Sequence, residues 1–153
     1  MFQKRMITFM SACAVVAFVG CTGATTSPTV GQVTYCRNVM YIQSDLEIVP
    51  LGYCLEDGFL DDTIRFKFIA KTADPVSLFD AAYVDPTTFV DDLDPPVFNQ
   101  KAGETWWDLS SQHLSGATFI VPPPNSKGSR GLNIAYTDNH DGTLTVYVLW
   151  FET

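Results

Sequence analysis

Few side chains in this sequence could take part in covalent or metal chemistry. The chain has four cysteines but only two histidines, too few for a multi-histidine zinc site. Ser129 follows the first glycine of Gly128-Ser129-Arg130-Gly131 directly and so does not match the G-x-S-x-G nucleophile elbow. His113 lies close to Ser110 and Ser111 in sequence, whereas a nucleophile and its base normally come from separate elements. The sequence therefore favours a non-catalytic protein that carries no cofactor.

Carboxylates are the most numerous candidate ligands. Asp91, Asp92 and Asp94 lie in a stretch that has no Lys or Arg between Lys71 and Lys101. Their spacing lacks the glycine and the distant Glu of an EF-hand, so we predict no metal site. A carboxylate pair for glycoside cleavage stays open, because the sequence does not give the distance between two such groups. We interpret the three residues as a candidate contact for a basic protein partner.

Trp106 and Trp107 are a second candidate partner-binding pair. Because they are adjacent, their side chains diverge in either a strand or a helix. We expect one of them to cover the edge of the core, and the sequence leaves open whether the other does so too or is exposed. An exposed indole would provide an aromatic platform for a sugar ring or a protein contact.

The N-terminus has the order of a secretory signal. Two basic residues, Lys4 and Arg5, precede an uncharged apolar stretch that ends in Phe18-Val19-Gly20-Cys21. This order resembles the lipobox of bacterial lipoproteins, and the resemblance covers residues 1–21. It implies that residues 1–20 are removed as a signal peptide and that Cys21 is acylated with fatty acids such as palmitate, which form the membrane anchor. In Gram-negative lipoproteins an Asp directly after the acylated cysteine favours retention in the inner membrane. For a Gram-negative source, Thr22 at this position implies by resemblance the inner leaflet of the outer membrane, facing the periplasm.

The remaining chain divides into a tether and one domain. Residues 21–31 are small and uncharged, which is typical of a flexible tether, and residues 32–153 are the size of a single domain. Loss of Lys4 and Arg5 leaves 9 − 2 = 7 basic against 17 acidic residues, a net charge of 7 − 17 = −10. Such a charge excludes nucleic acid as a partner and excludes adhesion to anionic lipid head groups.

Two cysteines, Cys36 and Cys54, belong to the predicted domain. An even pair of cysteines in an oxidising compartment predicts a disulfide. Closing that loop would stabilise the domain by roughly 3 kcal/mol in the chain-entropy account.

The abundance of Val, Ile, Tyr, Phe and Trp predicts short strands. Residues 64–70 alternate in polarity, which indicates a half-buried antiparallel strand. Its predicted buried residues are Ile64, Phe66, Phe68 and Ala70, and its predicted exposed residues are Arg65, Lys67 and Lys71.

A hairpin is predicted near the end of the sequence. A three-residue loop, His140-Asp141-Gly142 with Gly142 at positive φ, places the apolar sets of both strands on one face. It pairs Leu132 with Trp150, Ile134 with Val148 and Tyr136 with Val146. The last strand is then central to the stability of the fold.

Other segments have weaker signals. Asp74-Pro75 and Asp85-Pro86 each provide an N-cap followed by proline, which predicts short helices near 75–82 and 86–92. Residues 117–121 are predicted to form a strand, and residues 33–42 and 46–51 are predicted to be extended. The whole predicts a mainly β protein, an antiparallel β-sandwich-like domain with a small helical insertion, with α+β as the alternative.

The function expected from the sequence is binding. We expect a membrane-tethered periplasmic lipoprotein that acts as a non-catalytic binding module. One specific version is an acidic inhibitor or immunity protein against a basic enzyme that attacks the envelope. A contrasting version is a structural component of an envelope assembly.

Overall fold

A single six-stranded antiparallel sheet forms the centre of the protein. The computed structural model describes residues 24–56, 62–93, 98, 105–109, 113–121 and 129–152; Cys21 and Asp94 lie outside this part. The strands are β1 (Ile48–Glu56), β2 (Thr63–Ala70), β3 (Val90–Asp91), β4 (Ser115–Val121), β5 (Arg130–Asp138) and β6 (Leu144–Glu152), and one helix, α1 (Val30–Val39), precedes them. The strand order is β1-β2-β6-β5-β4-β3. The prediction of a mainly β, antiparallel fold is confirmed.

The β5–β6 hairpin has the predicted register. Leu132 pairs with Trp150, Ile134 with Val148 and Tyr136 with Val146. The backbone N–H of Asn139 donates to the carbonyl of Thr143 at 3.1 Å, which closes the three-residue loop, and Gly142 has φ 86°. Strand β6 also pairs with β2, so it lies inside the sheet with a hydrogen-bonded neighbour on each side.

One face of the sheet carries the larger hydrophobic core, which we call the first face. The predicted apolar side of β2 lies here together with the alternate residues of β5 and β6. Helix α1 covers part of this face, and the crossover (residues 71–89, joining β2 to β3) covers another part. The covering side chains are Cys36, Val39 and Met40 from α1 and its C-cap, and Leu78, Phe79 and Val84 from the crossover.

The opposite or second face is also buried. Ala135, Tyr147 and Leu149 of the sheet pack there in a second cluster with side chains from outside the sheet: Phe98, Trp107, Leu109 and Leu114. As a result, Arg65 is 1% exposed and Lys67 is 9% exposed. The prediction that β2 turns a solvated basic stripe outward was wrong for these two residues, because Lys67 is paired with Asp108 of the covering segment and Arg65 is paired with Glu56 of β1.

The crossover contains two short 3₁₀ turns, Pro75–Ser77 and Pro86–Thr88, which are shorter than the helices predicted there. The predicted caps are confirmed. The Asp74 carboxylate accepts the N–H of Val76 at 3.0 Å, and the Asp85 carboxylate accepts the N–H of Thr87 at 2.9 Å.

Helix α1 lies where an extended segment was predicted over residues 33–42, so that prediction was wrong. A capping box begins the helix: the Thr29 side chain accepts the N–H of Gln32, and the Gln32 side chain accepts the N–H of Thr29 at 2.8 Å. Within the described residues, no helix is both long enough and apolar enough to span a bilayer.

Ordered structure begins before the predicted domain boundary at residue 32. Thr25 and Tyr53 exchange two backbone hydrogen bonds of 2.9 Å. The flexible tether predicted for residues 21–31 is therefore too long, because Thr25 pairs with β1 and Val30 begins α1.

Cys36 and Cys54 lie on opposite faces of the sheet. Cys36 packs in the hydrophobic core of the first face, together with the side chain of Tyr53. Cys54 follows Tyr53 directly in β1. Successive side chains of a strand point to opposite faces, so the two sulfurs cannot meet. Cys36 is a buried free thiol, and the predicted Cys36–Cys54 disulfide was wrong. Cys54 is disulfide-bonded.

We predict that Cys36 does not react with thiol reagents in the native protein. Burial removes access and raises the pKa of the Cys36 thiol to about 12, so little thiolate is present at neutral pH. Iodoacetamide without reductant should label Cys36 only after unfolding in guanidinium. A peptide map that shows Cys36 linked to Cys54 would contradict this arrangement.

Candidate functional site

A buried polar network lies between β2, β6 and the segment that covers them. The Nζ of Lys67 lies 2.6 Å from Oδ1 of Asp108, and the hydroxyl of Tyr147 donates to the same oxygen at 2.8 Å. The Lys67 ammonium also lies 5.0 Å from the centre of the Tyr147 ring, within the range of a cation–π contact. This network attaches residues 105–109 to the second face of the sheet.

The electrostatics of the network favour a structural role. Burial would raise the pKa of Asp108, but hydrogen bonds from Lys67 and Tyr147 outweigh it, and the pKa of this carboxyl is lowered. Burial, and then the bond to Asp108, raise the pKa of Tyr147, so its phenol stays protonated. The phenol of Tyr147 and the carboxylate of Asp108 are hydrogen-bonded to each other. This arrangement stabilises the covering segment rather than supplying a base for catalysis.

The two tryptophans have different surroundings, as adjacency predicted. Trp107 is fully buried in the second cluster, and its Nε1 donates to the carbonyl of Phe98 at 3.3 Å. Trp106 is half-buried and packs on β1, where a Cβ added at Gly52 would lie 2.2 Å from its ring. Glycine at position 52 is therefore required by the close approach of Trp106, and only Trp106 has indole surface available to a partner.

Asp91 and Asp92 lie exposed at the β3 edge of the sheet. The hydroxyl of Ser115 donates to Oδ1 of Asp91 at 2.7 Å, and Nδ1 of His113 lies 3.0 Å from Oδ1 of Asp92. Asp92 has a positive φ of 58°, a conformation that Asp adopts more readily than most residues. The third predicted member of this group, Asp94, lies outside the described residues.

The acidic pair and the tryptophan do not form one site. Trp106 lies over β1, whereas Asp91 belongs to β3. These two strands form the opposite edges of the sheet. Five strand spacings separate them, or about 24 Å at about 4.8 Å per strand. The sequence-predicted partner-binding residues are therefore two separate surface features.

The charges of the described residues are divided between interior and surface. Every described Lys and Arg has an intramolecular partner: Arg37 donates to the carbonyls of Gln43 and Leu46, while Arg65 pairs with Glu56, Lys67 with Asp108, Lys71 with Glu47, and Arg130 with Glu152. Many described carboxylates remain exposed, namely Asp45, Glu47, Asp74, Asp80, Asp85, Asp91, Asp92, Asp138 and Asp141. Lys71 is the one exposed Lys or Arg in the same ranges. The described surface is thus strongly acidic.

Comparison with known proteins adds no family assignment. No protein-family model, no curated protein and no solved structure matches the chain. Across the described ranges, no group of three or more His, Cys, Asp or Glu side chains is arranged to hold a metal ion.

We predict that Asp108→Asn destabilises the protein in a pH-dependent way. At pH 7 the change should lower the free energy of unfolding by about 1–2 kcal/mol, because it removes the carboxylate from buried Lys67 while Asp108 itself is partly exposed. The pKa of Asp108 is lower in the folded state, so its contribution is present above the unfolded pKa of about 3.9 and is lost as the pH falls through the folded value.

Urea unfolding of wild type and variant at pH 7 and near pH 2 tests this prediction. The difference between the two proteins should shrink toward pH 2. Tyr147→Phe is the control, because it keeps the Lys67–Asp108 pair and loses only the phenol donor. A difference that stays constant over the whole range would contradict the network described above.

Proposed function

We propose that this chain is a lipid-anchored, non-catalytic binding module of the bacterial cell envelope whose acidic surface takes a basic protein partner. The observation that carries the proposal is the division of charge. Each described Lys and Arg is engaged within the fold, whereas carboxylates of the crossover, the β3 edge and the hairpin loop face solvent.

The lipobox resemblance supports the anchor. Acylation of Cys21 would place the lipid four residues before Thr25, the first residue that pairs with the sheet. Four residues span at most about 14 Å, so the domain would lie close to the membrane surface. Thr22 after the cysteine supports the inner leaflet of the outer membrane, and the proposed site of action is then the periplasm.

The acidic surface supports a protein partner over a lipid or a nucleic acid. Phosphates on either of these would be repelled by a net charge of −10, whereas a basic protein would be attracted over a distance of about 10 Å at moderate salt. Electrostatic steering of this kind raises association rates. An inhibitor or immunity protein that captures a basic envelope-attacking enzyme is the version that uses the charge.

Cys21→Ser tests the anchor. We expect the substitution to abolish fatty-acid labelling, because the sulfur that forms the thioether is lost. The sulfur of Cys21 can carry a thioether or a disulfide to Cys54, but not both. Mass spectrometry of the wild-type chain therefore distinguishes the two outcomes. Undiminished labelling of Cys21→Ser, or a Cys21–Cys54 linked peptide as the main species in cells, would refute the lipid anchor.

Combined replacement of Asp91, Asp92 and Asp94 by Asn tests the acidic surface. The partner would first be captured from envelope extracts and identified by mass spectrometry, and it should be basic. The variant should bind it about three- to tenfold more weakly at low salt, mainly through a slower association rate, and the difference should narrow as salt rises.

His113→Ala and His140→Ala are the matched controls for this experiment. Both imidazoles are exposed, and neither change removes a carboxylate, so binding should stay nearly unchanged. Loss of function in either histidine variant, with normal behaviour of the triple Asn variant, would replace the binding proposal with an enzymatic one. Salt-insensitive co-purification of a large complex would instead favour a structural component of an envelope assembly.

A further inference from the structure

A short turn in the crossover presents one tyrosine to solvent between two buried anchors. Phe79 and Val84 are buried in the hydrophobic core of the first face, and the residues between them, 80–83, are exposed. The backbone N–H groups of Tyr83 and Val84 both donate to the carbonyl of Asp80 at 3.0 Å, which closes the turn. Tyr83 is 42% exposed although its side chain is large and aromatic.

Tyr83 is supported from behind by a second tyrosine. The rings of Tyr41 and Tyr83 are stacked with centroids 4.1 Å apart and an interplanar angle of 18°. Tyr41 has a positive φ of 57°, which is uncommon for a bulky residue, and it follows directly after the end of α1. Its carbonyl accepts the N–H of Asp80 at 2.8 Å, so the backbone that carries one ring is bonded to the turn that carries the other.

A partly buried cation–aromatic contact involves Arg130 at the start of β5. The guanidinium of Arg130 lies 4.9 Å from the centre of the Trp150 ring and pairs with Glu152 at 2.7 Å. Arg130 also lies close enough to Tyr41 to act on the pKa of its phenol, which burial and Tyr83 raise and Arg130 lowers. The stacked tyrosines are held by the hydrogen bond between their backbone segments, and such pre-organisation reduces the ordering that binding would otherwise require.

Two exposed carboxylates flank Tyr83 in the chain. Asp80 lies three residues before it and accepts the N–H of Ala82 at 2.9 Å, while Asp85 lies two residues after it and accepts the hydroxyl of Thr87 at 2.7 Å. The bonds from Thr87 lower the pKa of Asp85, so this carboxyl is charged under ordinary conditions. An exposed electron-rich ring with a carboxylate three residues before it and another two residues after it in the chain is complementary to a positive charge.

We propose that Tyr83, with Asp80 and Asp85, forms an exposed docking site for an arginine side chain of a basic protein partner. We call these three residues the Tyr83 site. A guanidinium stacks on an aromatic ring and donates to carboxylates at the same time, which an ammonium does less well. The inference rests on the proposed function, since it names the contact by which the acidic surface would recognise its partner.

The probe for this site is a hexa-arginine peptide, with hexa-citrulline as its neutral counterpart of similar shape. Binding to the purified chain would be measured by calorimetry at low salt. Tyr83→Ala should weaken hexa-arginine binding about two- to fivefold, and Tyr83→Phe should restore it, because phenylalanine keeps the aromatic face. The double variant with Asp80→Asn and Asp85→Asn should also weaken binding, while its side-chain oxygens can still accept the turn hydrogen bonds.

Matched controls separate this site from a general effect of charge or of exposed tyrosine. Tyr35→Ala removes a tyrosine of similar exposure from α1, and the pair Asp138→Asn and Asp141→Asn removes two carboxylates from the hairpin loop. Both controls should retain more of the hexa-arginine affinity than the Tyr83-site variants do. Equal losses in site and control variants would overturn the Tyr83 site and leave the acidic surface as a diffuse attractor. No binding of hexa-arginine, or equal binding of hexa-citrulline, would overturn the site together with its premise of cation recognition.

Discussion

Burial of the sheet on both faces is the constraint on which the rest of the structure depends. Alternate residues of each inner strand must fill two different cores, so β6 is apolar on both sides. On β2 the second face receives Arg65 and Lys67, and a buried ammonium or guanidinium is tolerated only with partners. Glu56 and Asp108 are such partners, and Asp108 belongs to the segment that does the covering. The Lys67–Asp108 ion pair and the covering of the second face are therefore a single arrangement, while Arg65 is paired within the sheet.

This arrangement also determines what the protein shows to solvent. In the described part of the chain, four of the Lys and Arg side chains pair with carboxylates of the fold. The exposed carboxylates in the same part outnumber the exposed Lys and Arg side chains. Several of these carboxylates also cap turns, as Asp74 and Asp85 do, so a structural role accounts for their position without neutralising their charge. An acidic exterior is thus compatible with a well-ordered fold, and it is the property on which the proposed function depends.

The parts of the fold that the sequence predicted are those set by local pattern. The register of the β5–β6 hairpin followed from the period-two alternation and from the turn residues, and the Asp-Pro caps followed from adjacent residues. Helix α1 was missed because its apolar pattern is weak, although Thr29 and Gln32 have capping-box spacing. The burial of β6 on both faces was not predicted, although its near-continuous apolar run is typical of such a strand. The partner of Lys67 could not be predicted, because Asp108 lies far along the chain and is brought there only by tertiary packing.

The association rate with the captured basic partner, measured against ionic strength, tests the central claim most directly. If recognition depends on an acidic surface whose internal cations are already paired, the association rate constant should fall by about tenfold or more between about 20 mM and about 300 mM salt. The dissociation rate constant should change much less over the same range. An association rate that is independent of salt, with binding of unchanged affinity, would contradict the account.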